Sequence, residues 1–257
     1  MAIYLLKKSY LLENLQEIDF HDLWDEHGIF TTMWIFGKPP KILFLENHFK
    51  NLINSLKKYG IKKRSLKKNI NKLINKNLSK KIDYNHLLRV AINRKIISIS
   101  LRKRFSPKLD FKLKLVNLKR ENPKFKNLKY KKILSHLLNI DNSKSDIGIV
   151  NKSRILETGT SNLLFIKDKK IYAPKKNFYY GITYRFFNTK IKNIIKKDIY
   201  VSELEKYDEI ILIGSGKGVA SVKTIKEINW SRKSLEYYKI FSKYYLSAIK
   251  KCGLYKF

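Results

Sequence analysis

Residues 157–187 constrain this chain more than any other stretch. They run Glu157-Thr-Gly-Thr-Ser161-Asn162 into the apolar Leu163–Ile166, then through Ile171–Pro174 to Gly181-Ile182-Thr183 and Phe187. The order predicts a strand ending on a carboxylate, a short hairpin opened by a Ser-Asn pair, and a helix beginning at Gly-Ile-Thr. A buried glutamate can hold a proton on a heterocyclic nitrogen, and the free amides of a helix N-terminus can hold a phosphate. The stretch therefore points to a ligand that carries both groups.

At 257 residues, 44% hydrophobic and 13% aromatic, the chain can build one large or two modest cores. No apolar run is long enough to span a bilayer, and the N-terminal apolar stretch meets Lys7 and Lys8 too early for a signal peptide. The single cysteine, Cys252, excludes an internal disulfide and fits a reducing cytoplasm. The net charge of +35 invites a nucleic-acid reading. However, the cations are 47 lysines against 9 arginines and are spread along the whole chain, beside abundant Asn and Ile. Specific nucleic-acid sites favour clustered arginine, so the expectation is a solvated lysine coat that draws a small anionic substrate, with no nucleic-acid or membrane partner.

Pattern along the chain predicts a mixed α/β fold. Gly28–Ile35 reads as a strand, Gly37–Pro40 as a turn and Ile42–Leu45 as renewed strand. Phe49, Leu52, Ile53 and Leu56 then form a helical stripe, followed by a second through Leu66, Ile70, Leu73 and Ile74. Strands are expected at Leu87–Asn93 and Ile97–Leu101. Phe105–Asp110 has linker chemistry, which divides the chain into a small N-terminal α/β domain, 1–108, and a larger domain, 109–257. The second should hold strands at Phe111–Leu118, Asp146–Asn151, Asn162–Ile166, Lys170–Ala173 and Glu209–Ile213. Its helices are expected after Tyr130, over Ile182–Ile195 and over Ser231–Lys251, the last with an apolar stripe at Leu235, Tyr238, Phe241, Tyr245 and Ile249. No metal-ligand cluster is evident.

Taken together, Gly28–Thr32, His48, Lys129, Glu157–Asn162, Gly181–Thr183 and Ser215-Gly216 resemble the fold-type IV enzymes that use pyridoxal 5'-phosphate (PLP). This class IV aminotransferase family includes branched-chain and D-amino-acid aminotransferases and 4-amino-4-deoxychorismate lyase. The resemblance implies a two-domain, D-amino-acid aminotransferase-like fold, PLP as cofactor and a homodimer. It matches Lys129 to the lysine whose amine bonds the cofactor, with Lys124 as the alternative whose spacing to Glu157 is closer to some members. Glu157 matches the carboxylate on the pyridine nitrogen. Ser161 and Asn162 belong to the same cofactor-binding motif, and Ile182, Thr183 and Ser215 to the phosphate cup. The family's phosphate-clamping arginine is replaced: His48-Phe-Lys-Asn51-Leu52 offers Asn51, which can donate one hydrogen bond but brings no charge.

The reaction turns on the strand at Phe30-Thr31-Thr32-Met33. Transaminases of the family usually carry a glutamate there, with Arg or Lys nearby in the branched-chain and D-amino-acid versions, whereas this run resembles the lyase. Thr31 and Thr32 are therefore the candidate substrate residues. The resemblance implies conversion of 4-amino-4-deoxychorismate to 4-aminobenzoate and pyruvate, a step of folate synthesis. The lysine would take the proton from the amine-bearing carbon, and aromatisation would drive loss of the enolpyruvyl group. Arg89, Arg94 and Arg102 are unranked candidates for the substrate carboxylates. An amino-acid aminotransferase on the same scaffold is the alternative, and an inactive basic binding protein the third reading.

Overall fold

The alternation of Ile97, Ile99 and Leu101 with Ser98 and Ser100 acts as period two requires. In the computed structural model, which describes residues 3–62 and 65–257, the three aliphatic side chains enter a core and the serines face the other way. This strand belongs to the first of two compact units, made of the chain up to Arg104 together with Phe125–Lys131 and Lys251–Phe257. The second unit takes Phe105–Lys124 and Lys132–Lys250.

The first unit carries β1 (Tyr4–Leu11), β2 (Glu17–Ile18), β3 (Ile29–Gly37), β4 (Lys41–Ile42), β5 (Tyr84–Ile92) and β6 (Ile96–Lys103), ordered β2-β1-β6-β5-β3-β4. The expected strand at Ile42–Leu45 is cut short, because Phe44 turns left-handed (φ 58°) and α1 (Leu45–Lys58) begins at once. In α1, Phe49, Leu52 and Leu56 are buried, and in α2 (Leu66–Asn77) so are Leu66, Ile70, Leu73 and Ile74. They pack on Met33, Ile35, Leu88, Val90, Ile99 and Leu101 in one apolar cluster. Each such side chain contributes about 1.5–3 kcal/mol on burial.

Register separates the two faces of this sheet. Thr32 lies opposite Arg89, Phe30 opposite Ala91, Arg89 opposite Ser100 and Leu87 opposite Arg102. Phe30, Thr32, Arg89, Ser98, Ser100 and Arg102 therefore share the face away from α1 and α2. That face is not simply solvated. Residues 21–24 cover part of it, with the Ser98 hydroxyl donating to the His21 carbonyl at 2.5 Å and Leu23 buried.

The second unit adds β7 (Phe111–Asn117), β8 (Ser145–Asn151), β9 (Arg154–Thr158), β10 (Asn162–Lys167), β11 (Lys170–Pro174), β12 (Ile194–Lys197), β13 (Glu209–Gly214), β14 (Gly218–Ile225) and β15 (Trp230–Ser231). The main path runs β12-β11-β10-β13-β14-β7-β8-β9, with β15 on β14. Three helices accompany it: α3 (Lys131–Leu138), α4 (Ile182–Lys190) and α5 (Glu236–Lys250). The helix expected to reach Ile195 stops at Lys190, because Ile194–Lys197 pairs in parallel with β11 instead. The aromatic stripe of α5 is core, with Phe241 and Tyr245 buried and Phe241 4.9 Å from the Phe187 ring. The wholly buried Glu209 carboxylate accepts the Tyr237 and Tyr238 amides at 2.9 Å, an anion at the positive end of α5. Among the described residues no helix is long and apolar enough to cross a membrane.

Candidate active site

In the second unit, Glu157 sits in β9 at 3% exposure, where a lone carboxylate would be costly. Arg120 meets it with both arms of its fork, Nε to Oε1 at 2.7 Å and Nη2 to Oε2 at 3.3 Å. A fork of this kind fixes the carboxylate plane as well as its charge. Just beyond, the turn from β9 to β10 is held by its own hydroxyls. Thr158 Oγ1 accepts the Ser161 amide at 2.8 Å and donates to Asp146 Oδ2 at 2.8 Å, and Thr160 Oγ1 donates to the same oxygen at 2.6 Å. Lys217 lies 3.5 Å from that carboxylate and donates to the Asn142 carbonyl at 3.2 Å.

Asn162 serves the backbone. Its Nδ2 donates to the Tyr179 carbonyl at 2.6 Å and its Oδ1 accepts the Gly181 amide at 3.2 Å, so it sets where α4 starts. A Cβ on Gly181 would stand 2.7 Å from that Oδ1, which is why the residue before the helix is glycine. Gly181 carries no side-chain cap, the first turn of α4 has no acidic residue, and Ile182 and Thr183 are buried there. Thr183 Oγ1 and Ser215 Oγ lie 3.4 Å apart. Gly214 is similarly compelled: a Cβ there would meet Ser161 Oγ at 2.8 Å. The structure thus brings Ser161, Asn162, Thr183 and Ser215 around the start of one helix. Uncapped amides and two hydroxyls form the donor set of a phosphate cup.

In the first unit, Phe125–Lys131 lies along the start of β3. Asn127 bridges Ile29 antiparallel, and the Phe30 amide donates to the Lys126 carbonyl at 2.9 Å. Lys129 turns its amine to the Asp25 carbonyl at 2.5 Å. Lys126 instead holds its ammonium 5.0 Å from the Phe30 ring centroid, and Lys124 is exposed. The two candidate threonines part company, since neighbours in a strand face opposite sides. Thr31 Oγ1 is 2.7 Å from His48 Nδ1 on the α1 side, while Thr32 is half-buried opposite Arg89. Burial, with the nearby Lys126 charge, pushes the His48 pKa down to about 3, so its ring is neutral. Asn51, half-buried, follows one turn later in α1.

Arg120, Asp146 and Lys217 escaped sequence reasoning. No motif marks the last two. Arg120 carried a faint signal, as one of few arginines in a lysine-biased chain.

The second unit thus holds a buried, oriented carboxylate and, at the start of α4, a set of donors suited to an anion. The family model of class IV amino-transferases matches residues 28–225, and the chain belongs to that family of PLP-dependent enzymes. No curated protein matches the chain. Among solved structures it is similar to the branched-chain aminotransferase of Thermoproteus uzoniensis with norvaline, at 15% identity over 98% of this chain and 96% of that one (TM-score 0.75). It is also similar to a putative 4-amino-4-deoxychorismate lyase of Legionella pneumophila, at 19% identity over 87% and 91% (TM-score 0.66). A third likeness is a PLP-bound hypothetical aminotransferase of Mycobacterium tuberculosis, at 13% identity over 95% and 99% (TM-score 0.67). At these identities the likeness shows the shared two-unit fold.

Proposed function

We propose that the protein is a lyase that converts 4-amino-4-deoxychorismate to 4-aminobenzoate and pyruvate. One observation carries this reading: the polar face of β3 presents an uncharged hydroxyl, Thr32, between Phe30 and Trp34, and no acidic side chain. A hydroxyl can sit beside a bulky anion without repelling it, whereas a glutamate there would repel a substrate carboxylate.

When bound, PLP supplies the electron sink for charge that develops at the amine-bearing carbon of the substrate. In this reading Glu157, oriented by Arg120, holds the proton on the ring nitrogen. The first amides of α4 with Thr183 and Ser215 hold the phosphate, and Ser161 and Asn162 fix the turn and helix start that present these groups. Asn51 contributes a hydrogen bond in place of a charge. We assign the cofactor-bonding amine to Lys129, with Lys124 as the alternative; the Lys129 amine rests on the Asp25 carbonyl, a single bond that a lysine can exchange for the cofactor. Lys129 then takes the proton from the amine-bearing carbon, Thr32 flanks the substrate, and Thr31 acts through His48 on the packing of α1.

The test has two arms. The purified protein with PLP should release pyruvate from 4-amino-4-deoxychorismate with no keto-acid acceptor; release only with an acceptor, or none, overturns the lyase reading. Borohydride reduction followed by peptide mapping should place the pyridoxyl adduct on Lys129, and an adduct on Lys124 or Lys126 overturns that assignment.

A further inference from the structure

On the polar face of the first unit's sheet, Arg89 and Arg102 are diagonal cross-strand neighbours, since Arg89 opposes Ser100, two residues before Arg102. Diagonal pairs stand about 7–8 Å apart at their Cα atoms, within reach for long side chains. Two guanidinium groups brought together on a half-buried face repel unless anions sit between them. Burial lowers the pKa of both, that of Arg89 to about 10; the nearby Asp22 carboxylate offsets part of this for Arg89, and the charge of Arg102 adds to it.

Among the described residues no carboxylate makes an ion pair with either guanidinium. Arg89 stacks 3.7 Å from the Trp24 ring centroid and gives one bond, from Nη2 to the Asp22 carbonyl at 2.6 Å. Its Nε is buried with no hydrogen-bond partner. Arg102 makes no hydrogen bond or ion pair among the described residues, although the Tyr4 and Tyr130 hydroxyls lie near enough to influence it. Beside the pair lies an aromatic wall: Trp24 stacks on Tyr130 at 5.5 Å, and Phe30 meets both edge-on at 5.0 and 5.5 Å. Thr32 stands directly opposite Arg89.

We propose that Arg89 and Arg102 form a two-point anion site for a cyclic substrate that carries two carboxylates, one for each guanidinium, with its ring against Phe30, Trp24 and Tyr130. The proposal rests on the lyase reading and deepens it by naming the residues that select a dianion. A substrate with one carboxylate and an aliphatic side chain would leave one guanidinium uncompensated, which weighs against a branched-chain amino acid.

The probe is benzene-1,3-dicarboxylate, with benzoate as the single-charge comparison, titrated into the PLP-loaded protein by calorimetry. The dicarboxylate should bind at least about tenfold more tightly, and Arg89→Gln or Arg102→Gln should each remove about tenfold of that advantage, whereas Lys72→Gln on exposed α2 should not. Equal affinity for the two probes, or an advantage that survives either substitution, overturns the proposal. Relief of like-charge repulsion predicts that Arg102→Gln melts no lower than the parent, and a lower melting temperature marks a structural arginine instead. If a glutamine variant fails to fold, Arg102→Lys keeps the charge without the fork and should still lose about threefold or more of the advantage. The PLP absorbance of the same samples separates the two readings. A parent protein that takes up no PLP overturns the enzyme reading, and dicarboxylate selectivity is then read on that cofactor-free protein.

Discussion

Glu157 and Arg120 in the second unit, and Arg89 and Arg102 in the first, are both sets of charges drawn out of water, but only the first set is closed by a direct ion pair. Arg120 closes on Glu157 with two bonds, and Asp146 collects two threonine hydroxyls and Lys217. Arg89 and Arg102 share one face, where Arg89 has a carbonyl, an aromatic ring and the more distant Asp22 carboxylate as company. Where evolution has supplied both partners, the charge serves geometry; where one side is missing, the ligand is expected to bring it. On the function proposed above, the contrast separates residues that present a cofactor from residues that choose a substrate.

The largest effect should come from breaking the satisfied pair. Arg120→Ala leaves Glu157 buried without its fork, and loss of one partner of a buried ion pair costs about 3–5 kcal/mol. Urea denaturation of Arg120→Ala should show that loss, and Arg120→Ala/Glu157→Gln should recover part of it, because the stranded charge is gone. A loss below about 1 kcal/mol would place Arg120 with the exposed pairs and erase the contrast.

How much of this could be read beforehand follows from what period and motif encode. The stripes of α1 and α2 and the alternation of β6 are one-dimensional patterns, and they emerge as core. The hairpin at Asn162 and the helix start at Gly181 are legible because turn chemistry needs those residue types there. The run Asn193–Lys197 misled, since Ile194 and Ile195 suit a helix and a strand equally, and only the free edge of β11 decides. The choice between Lys129 and Lys124 rests on register alone, because lysines crowd residues 124–132 and no local pattern separates them. Likewise Thr31 and Thr32 are equal as letters, and only the register to Arg89 and the bond to His48 tell them apart.

His48 gives a third solution to the same problem, within the first unit's core: it gives up its charge. Its folded pKa, about 3, lies below the ordinary value of 6.5, so the stabilisation is fully present above pH 6.5 and is lost as the pH falls toward 3. The slope is about 1.4 kcal/mol per pH unit, so the stability of the parent relative to His48→Asn should fall by about 2–3 kcal/mol between pH 6.5 and 4.5. Parallel pH profiles for the two proteins would mean that His48 takes up its proton without opening the core.

Lys217 offers the finest test, because its bond to Asp146 is long at 3.5 Å and the carboxylate keeps two hydroxyls and the Ile147 amide when the lysine is removed. Lys217→Met preserves the stem 5.1 Å from the Phe111 ring while deleting the charge. The expected loss is about 1.5–3 kcal/mol, the range for a hydrogen bond to a charged group, and it should be strongly non-additive with Asp146→Asn. Lys217 also stands two residues from Ser215, in the link from β13 to β14, so a loosened link should weaken PLP uptake severalfold and leave dicarboxylate selectivity unchanged. If Lys217→Met instead shifts the dicarboxylate preference and spares PLP, the second unit's charges choose substrate as well, and the division between presenting and selecting charges fails.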